Sequence, residues 1–251
     1  MTVSFDELVL NFQNIGLTSG DVLLVHSSYK SFGGVEGGPQ TVIDAIRSIL
    51  TDEGTLIVPT FNYDFCDGKQ FDIKKTPSKM GIISELVRTD SNSKRTLDPV
   101  FSFAILGKHR DYVADLKSEH SFGPNSIFAK LRDLDAKIMI IGLTYNESMT
   151  FFHHIEETQG CDYRYFKEFK GTITNYDDVK QDCKIVLFVR DIERGVQNAV
   201  DKMGSIMEQE GIVKNTIIGE SEIKIMNVND VYKRTVEEMK KNPYILIKIK
   251  K

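Results

Sequence analysis

Gly20-Asp-Val-Leu-Leu-Val-His26-Ser-Ser-Tyr-Lys-Ser-Phe-Gly33-Gly-Val-Glu-Gly37-Gly-Pro39 is the stretch on which the fold class turns. Asp21–His26 is a short apolar run and reads as a buried strand. Ser27–Gln40 is dense in glycine and hydroxyls and reads as a loop. Pro39 suits the first turn of a helix, because its missing N–H would be unpaired there anyway. Val42, Ile43, Ile46, Ile49 and Leu50 continue that helix on one face until Asp52-Glu-Gly54 stops it. Thr55–Pro59 is then a second buried strand.

Working outward, Leu8, Val9, Phe12 and Ile15 place a helix over Phe5–Ile15 ahead of the first strand. Asn62–Pro77 is polar and irregular, the kind of long loop that is functional or disordered. The pattern predicts helices over Met80–Val87, Ile127–Leu134 and Ser148–Glu157, and strands over Val100–Leu106 and Lys137–Gly142. After Gly171 the texture changes to strand-like Thr172–Tyr176, Cys183–Val189, Ile217–Val228 and Tyr244–Lys250, around a helical run over Gly195–Glu210. Alternating strands and helices give an α/β class: a mixed or antiparallel central sheet flanked by helices, with a strand-rich C-terminal lobe. We expect a single domain over 1–251, with residues 1–170 as core and 171–251 as an α+β lobe.

Composition narrows the function classes. The 251 residues are 41% apolar and 27% charged, with a net charge of −4. A sizeable core can form, and mild acidity without a basic block argues against phosphate-backbone binding to nucleic acid. Apolar runs such as Val22–Val25 and Ile138–Ile141 hold four residues, against about 20 for a membrane span. Asp6 and Glu7 lie where a secretory signal would carry basic and apolar residues. Three cysteines without CxxC spacing make a disulfide framework or structural zinc improbable, and a cytoplasmic location is expected.

Two passages carry candidate chemistry. The glycine-rich loop before Pro39 leads into a helix N-terminus, where unpaired N–H groups favour anions, and Ser27, Ser28 and Lys30 add donors. It matches neither GxGxxG nor GxxxxGK[ST], and a plain structural turn explains the glycines equally. In Thr150-Phe-Phe-His153-His154-Ile-Glu156-Glu157 the i,i+3 spacing lets His153 meet Glu156 and His154 meet Glu157. A carboxylate beside an imidazole is the arrangement a general base needs. A solvated His/Glu face or a core histidine on a carbonyl fits the same spacing. No HExxH and no clear third ligand support a metal, and no local signature makes Cys161 a nucleophile. Asp98 at a strand mouth orients an amine or forms a turn, Ser78 caps a helix beside an exposed Lys79, and Tyr163-Arg164-Tyr165-Phe166-Lys167 mixes cations with aromatics.

The Gly20–Gly38 block resembles the opening of the aminoglycoside 3-N-acetyltransferase family, which is distinct from the GNAT acetyltransferases. Further blocks agree in order: Gly54–Phe61, Thr76-Pro-Ser-Lys-Met-Gly81, Arg95–Gly107 with Ser102-Phe-Ala, Phe122-Gly-Pro-Asn-Ser126, Lys137–Gly142 and Thr150–Glu156. The resemblance covers roughly Leu17–Lys170. It implies an α/β fold and transfer of an acyl group from acetyl-CoA or another acyl-CoA to an amino sugar, without a metal. His153 and Glu156 fall on the family's active-site histidine and glutamate. Ser27, Ser28, Lys30, Gly33, Val35, Gly37 and Gly38, with Ser78, Lys79, Met80 and Ser102, would contact coenzyme A.

The same resemblance divides on the acceptor. Family members acting on antibiotics commonly carry a histidine where this chain has Asp98, and members making surface sugars resemble it better there and over Tyr163–Lys167. A nucleotide-linked (dTDP or UDP) amino sugar is therefore the expected acceptor, with an aminoglycoside as the alternative and an inactive CoA-binding relative as a further one. Asp98 would hold or help deprotonate the sugar ammonium. Tyr63, Thr150, Tyr163, Arg164 and Tyr165 would line the acceptor site, with Arg164, Lys167 and Lys170 facing a pyrophosphate and Thr150 beside the oxyanion. A homodimer is plausible.

Overall fold

A computed structural model describes residues 2–250. Ser4 caps α1 (Phe5–Asn14) by accepting from the Glu7 N–H, and Leu8 and Phe12 are its buried face. β1 (Val22–Ser27) follows, then a 3-10 turn over Tyr29–Phe32 and α2 (Pro39–Leu50), entered through Gly38 at φ 81°. β2 (Thr55–Pro59) is buried throughout. The Asn62–Pro77 loop contains a 3-10 turn at Tyr63–Asp67 and the short β3 (Phe71–Asp72). α3 (Ile82–Thr89), β4 (Lys94–Arg95), β5 (Phe103–Gly107), α4 (Arg110–Ala114), α5 (Ile127–Asp133) and β6 (Lys137–Ile141) complete the first part. Next come α6 (Tyr145–Ser148), α7 (Phe151–Gln159), β7 (Arg164–Thr174), β8 (Lys180–Arg190) and β9 (Val196–Asn198). The chain ends with α8 (Asp201–Gln209), β10 (Lys214–Ile218), β11 (Ser221–Asn227), α9 (Val228–Lys241) and β12 (Ile247–Ile249).

The central sheet is mixed and has seven strands in the order β10-β11-β6-β1-β2-β5-β4. β1 pairs in parallel with both β2 and β6, while β5 and β11 add antiparallel strands on either side. The parallel centre is buried on both faces, which is why its strands read as continuous apolar runs. Alternate residues serve two cores. Leu23, Val25, Leu56 and Met139 face α1, α2 and α3, whereas Leu24, Ile57 and Ile138 face α5, α7, α8 and α9. The C-terminal ends of β1 and β2 and the loops beyond them form the crevice side, the usual place for a ligand in such a sheet.

Several boundaries depart from the sequence pattern for identifiable reasons. Ser148–Glu157 is two helices, because Met149 at ψ 57° interrupts the turn between α6 and α7. The expected strand over Val100–Leu106 starts at Phe103, since the N–H groups of Val100 and Phe101 are held by Asp98. Gly195–Glu210 divides into β9 and α8. Tyr163–Lys167 leads into β7, which pairs with β8 from Arg164↔Arg190 to Thr174↔Lys180. β7 runs across residues 170 and 171, and β10 and β11 join the central sheet through β6.

Candidate active site

α7 is anchored by Phe151, Phe152 and Ile155, all fully buried, and this anchoring turns His153 and Glu156 toward the start of β7. His153 Nδ1 lies 2.8 Å from Glu156 Oε2. Arg164, the first residue of β7, closes the group. Its Nε is 2.7 Å from Glu156 Oε2 and its Nη2 is 3.0 Å from His153 Nδ1. The same guanidinium donates from Nη2 to Asn198 Oδ1 at 2.9 Å and from Nη1 to the Phe188 carbonyl at 3.1 Å. Phe122 packs edge-on against the imidazole, with ring centroids 5.2 Å apart.

Burial, and then the Arg164 charge, push the His153 pKa below its ordinary value, against the opposing pull of Glu156. Burial raises Glu156, but the His153 hydrogen bond and the Arg164 charge outweigh it and hold the carboxyl below the usual range. His153 therefore rests neutral beside an ionised carboxylate. It opens on a cavity of about 430 Å³ whose wall includes Tyr63, Phe101, Tyr165, Lys167 and Arg190. With Nδ1 engaged, Nε2 is the ring nitrogen left for chemistry.

The other expected site residues divide sharply. Tyr63 and Tyr165 stand on the cavity wall, and half-buried Thr150 lies just before α7. The Arg164 guanidinium is engaged by Glu156, Asn198 and Phe188, with His153 Nδ1 3.0 Å from Nη2, so the expectation that it meets a pyrophosphate gives way to a place beside the His153–Glu156 pair. Tyr163 is fully buried, its hydroxyl pushed up by burial and by Glu156. Asp98 Oδ1 accepts from the N–H groups of Val100 and Phe101, both at 2.8 Å, and Oδ2 accepts from Ser121 Oγ at 2.5 Å. It lines a neighbouring cavity of about 540 Å³ and is absent from the wall beside His153. Lys170 lies beyond that wall, paired with Glu168 at 2.9 Å. His154 hydrogen-bonds the Phe122 carbonyl at 2.6 Å, and Glu157 turns to His120 at 3.2 Å. Burial pushes the Cys66, Cys161 and Cys183 thiols up to about 11, 12 and 11, which removes the thiolate a nucleophile requires. Among the described residues no three His, Cys, Asp or Glu side chains cluster as for a metal ion, and no helix is long and apolar enough to cross a membrane.

The two segments expected at coenzyme A meet in space: a Cβ at Gly81 would lie 3.8 Å from the Ser27 carbonyl. Glycines 37, 38 and 81, at φ 74°, 81° and 98°, lead into the N-termini of α2 and α3, although the Gly38 N–H is already donated to the Val35 carbonyl at 3.0 Å. Lys30 is exposed in the Tyr29–Phe32 turn, and half-exposed Ser28 donates its N–H to the Ile141 carbonyl at 2.8 Å. This surround fits a phosphate-bearing cofactor. Not every expected contact is free to reach it. Val35 is buried in a bridge to Val3, a Cβ at Gly33 would meet the Glu220 carboxylate at 2.8 Å, and Lys79 pairs with Asp64. Ser78 holds the Met80 N–H at 3.1 Å and so shapes the turn. Ser102 is fully buried, bonding Thr60 at 2.9 Å and Arg95 at 3.0 Å.

The sequence model of the aminoglycoside 3-N-acetyltransferase family matches residues 24–240. The chain belongs to this family. Aminoglycoside N(3)-acetyltransferase IV of Salmonella sp is 32% identical over 60% of this chain and 57% of its own length. Aminoglycoside N(3)-acetyltransferase VII of Streptomyces paromomycinus is 24% identical over 91% and 88%. The YokD protein of Bacillus subtilis, 30% identical, is covered over 60% of its length, so the chain spans under two thirds of some curated relatives. Among solved structures, the AAC-IIIb binary complex with CoASH superposes with a TM-score of 0.84 at 19% identity, covering 96% of this chain and 97% of that one. The apoenzyme of aminoglycoside acetyltransferase AAC(3)-IVa gives 0.82 at 23%, covering 98% and 92%. These likenesses establish the fold.

Proposed function

We propose that the chain transfers an acetyl group from acetyl-CoA to an amino group of an aminoglycoside, with His153 as general base. The observation that carries this is the neutral His153, oriented by Glu156 and open to a cavity, in a chain of this family. The type IV and type VII relatives quoted above are both named for aminoglycosides, so the expectation of a nucleotide-linked acceptor yields first place.

Coenzyme A, held by the backbone N–H groups at α2 and α3 with Ser27, Ser28 and Lys30, would supply the acyl group as an activated thioester. The work of the protein is then positioning and proton removal. A protonated amine has no lone pair with which to attack, so Nε2 of His153 accepts its proton. That proton transfer is worth about 10²–10⁴-fold, and Glu156 stabilises the ring as it takes the proton. Thr150, close in sequence to His153, is our candidate hydroxyl donor to the developing oxyanion. The amine would attack the thioester carbonyl directly, the C–S bond would break as the tetrahedral adduct collapses, and the leaving coenzyme A thiolate would take up the proton held by His153, so no covalent enzyme intermediate is required.

One observation keeps the nucleotide-linked amino sugar as a second reading. The charged side chains on the cavity wall, apart from the buried Arg164, are Lys167 and Arg190, and no carboxylate is among its lining residues. A polycation would gain little there, and a pyrophosphate would gain much. A free-thiol release assay with acetyl-CoA and longer acyl-CoAs, run on gentamicin-type antibiotics and on dTDP- and UDP-linked amino sugars, separates the two. Turnover on the antibiotics is expected. Turnover confined to the nucleotide sugars transfers the proposal to the second reading, and silence on both panels with coenzyme A bound would overturn N-acetyl transfer.

A further inference from the structure

Arg164 has not been assigned a part in the chemistry, yet its guanidinium is the most heavily committed group in the cluster. We propose that Arg164 is a positioning residue for the base: it neutralises Glu156 and thereby keeps His153 free of its proton and fixed in one orientation. This rests on the reading of His153 as the base.

Charge counting carries the argument. Glu156 is 1% exposed and Arg164 4% exposed at their side chains, so neither charge is relieved by water. A buried carboxylate facing an imidazole alone would hold the imidazolium as its ion-pair partner, and an already protonated ring cannot accept a proton. With Arg164 present, carboxylate and guanidinium cancel, and a proton on His153 would leave the buried group with a net positive charge. The further charge acting on the ring has the same sign, Arg190 from the end of β8, and Lys167 from β7 is the other cation on the cavity wall. Phe122 and Asn198 do not titrate; Tyr63, Cys66 and Tyr165 share the wall, and Cys161 and Tyr163 lie beside Glu156, with burial pushing Tyr63, Cys66, Cys161 and Tyr163 up, away from their charged forms.

Orientation follows from the same contacts. Glu156 Oε2 and Arg164 Nη2 both approach Nδ1, at 2.8 and 3.0 Å. The carboxylate requires a proton on Nδ1, which leaves the Nε2 lone pair toward the cavity, while Arg164 directs a hydrogen to Asn198 at 2.9 Å. The bond from Arg164 to the Phe188 carbonyl ties the cluster to β8, and that to Asn198 ties it to β9.

The test is an NMR titration of the His153 imidazole in the free protein, with the signal assigned through His153→Gln, in the wild type, Arg164→Gln and Arg164→Lys. The wild-type midpoint should lie below about 6.5, the Gln variant should titrate at least about one pH unit higher, and the Lys variant should stay near the wild type. The acid limb of kcat/KM should move by the same amount. A Gln variant that loses activity at every pH with an unmoved midpoint would make Arg164 merely structural and overturn the proposal. Should the Gln variant fail to fold, a wild-type midpoint above about 7 overturns it by itself. The titration needs no acceptor, so a chain without N-acetyl transfer activity would sink the functional reading and leave this result interpretable.

Discussion

Among the described residues Arg95 and Arg164 are the two buried arginines, and they handle their charge in opposite ways. Arg95 sends Nε to Thr60 Oγ1 and Ser102 Oγ, both at 3.0 Å, Nη1 to the Thr76 carbonyl at 2.5 Å and Nη2 to the Thr60 carbonyl at 2.7 Å. Its guanidinium also stacks over Phe71 at 4.8 Å. Neutral acceptors satisfy its geometry but do not neutralise its charge, and burial pushes it down to about 10. Arg164 instead faces a carboxylate and an imidazole. The first arrangement pins the long Asn62–Pro77 loop onto the central sheet, whereas the second couples a buried charge to a titrating ring. Neutral partners build structure, and ionised partners set proton affinity.

Arg95→Met should show the largest loss of stability. It leaves several buried acceptors unpaired, so unfolding free energy should fall by about 3 kcal/mol or more in urea titrations. The acid limb of the pH–rate profile should not move, in contrast to Arg164→Gln. A shift of that limb would break the distinction.

The pH dependence of stability sharpens it further. His26 and His154 are buried and pushed down to about 4 by desolvation. Their folded-state values lie below the unfolded ones, so their contribution is intact above about 6.5 and is lost as pH falls toward 4. Each accounts for up to about 3 kcal/mol across that window. His154→Gln should flatten the fall in urea midpoint, and an unchanged slope would show that His154 is solvated in the folded chain.

Asp98→Asn comes next, at about 1–2 kcal/mol. Its carboxylate serves two amide N–H groups and Ser121, so the melting temperature should drop while kcat changes little. A selective loss of turnover would restore Asp98 to the acceptor site. The smallest effect belongs to Cys161→Ser, within about 0.5 kcal/mol and about twofold in rate if the half-buried thiol is neither nucleophile nor packing keystone. A dead variant would support a thiolate route.

What the sequence made legible follows the same division between local and distant partners. β1, β2 and β6 announce themselves because strands buried on both faces are apolar throughout, and α2 through Pro39. α9 is hard to read in the sequence, although Val228, Val231, Thr235 and Met239 recur at helical spacing behind an Asn227 cap. Charged residues between them lower its mean hydropathy and conceal the stripe. β7 and β8 form a long hairpin with many exposed positions, so Tyr163–Lys167 looks like ordinary surface. In the site, the contact of His153 with Glu156 follows from i,i+3 spacing, but a solvated face fits that spacing too, and the reading as a base rests on the family resemblance. Arg164 stands out in the sequence by its charge, but its partners do not, since Phe188 and Asn198 come from strands far along the chain. Asp98 was misplaced for the same reason, its hydroxyl partner Ser121 being reachable only through tertiary structure.

The measurement that bears most directly on the whole account is single-turnover acetyl transfer by His153→Ala beside the wild type, with coenzyme A affinity measured on both proteins. A fall of about 10²-fold or more in turnover, with that affinity retained, is the predicted result. A variant that transfers at close to the wild-type rate would contradict the assignment of His153 as the base, and with it the role given to the charges gathered around it.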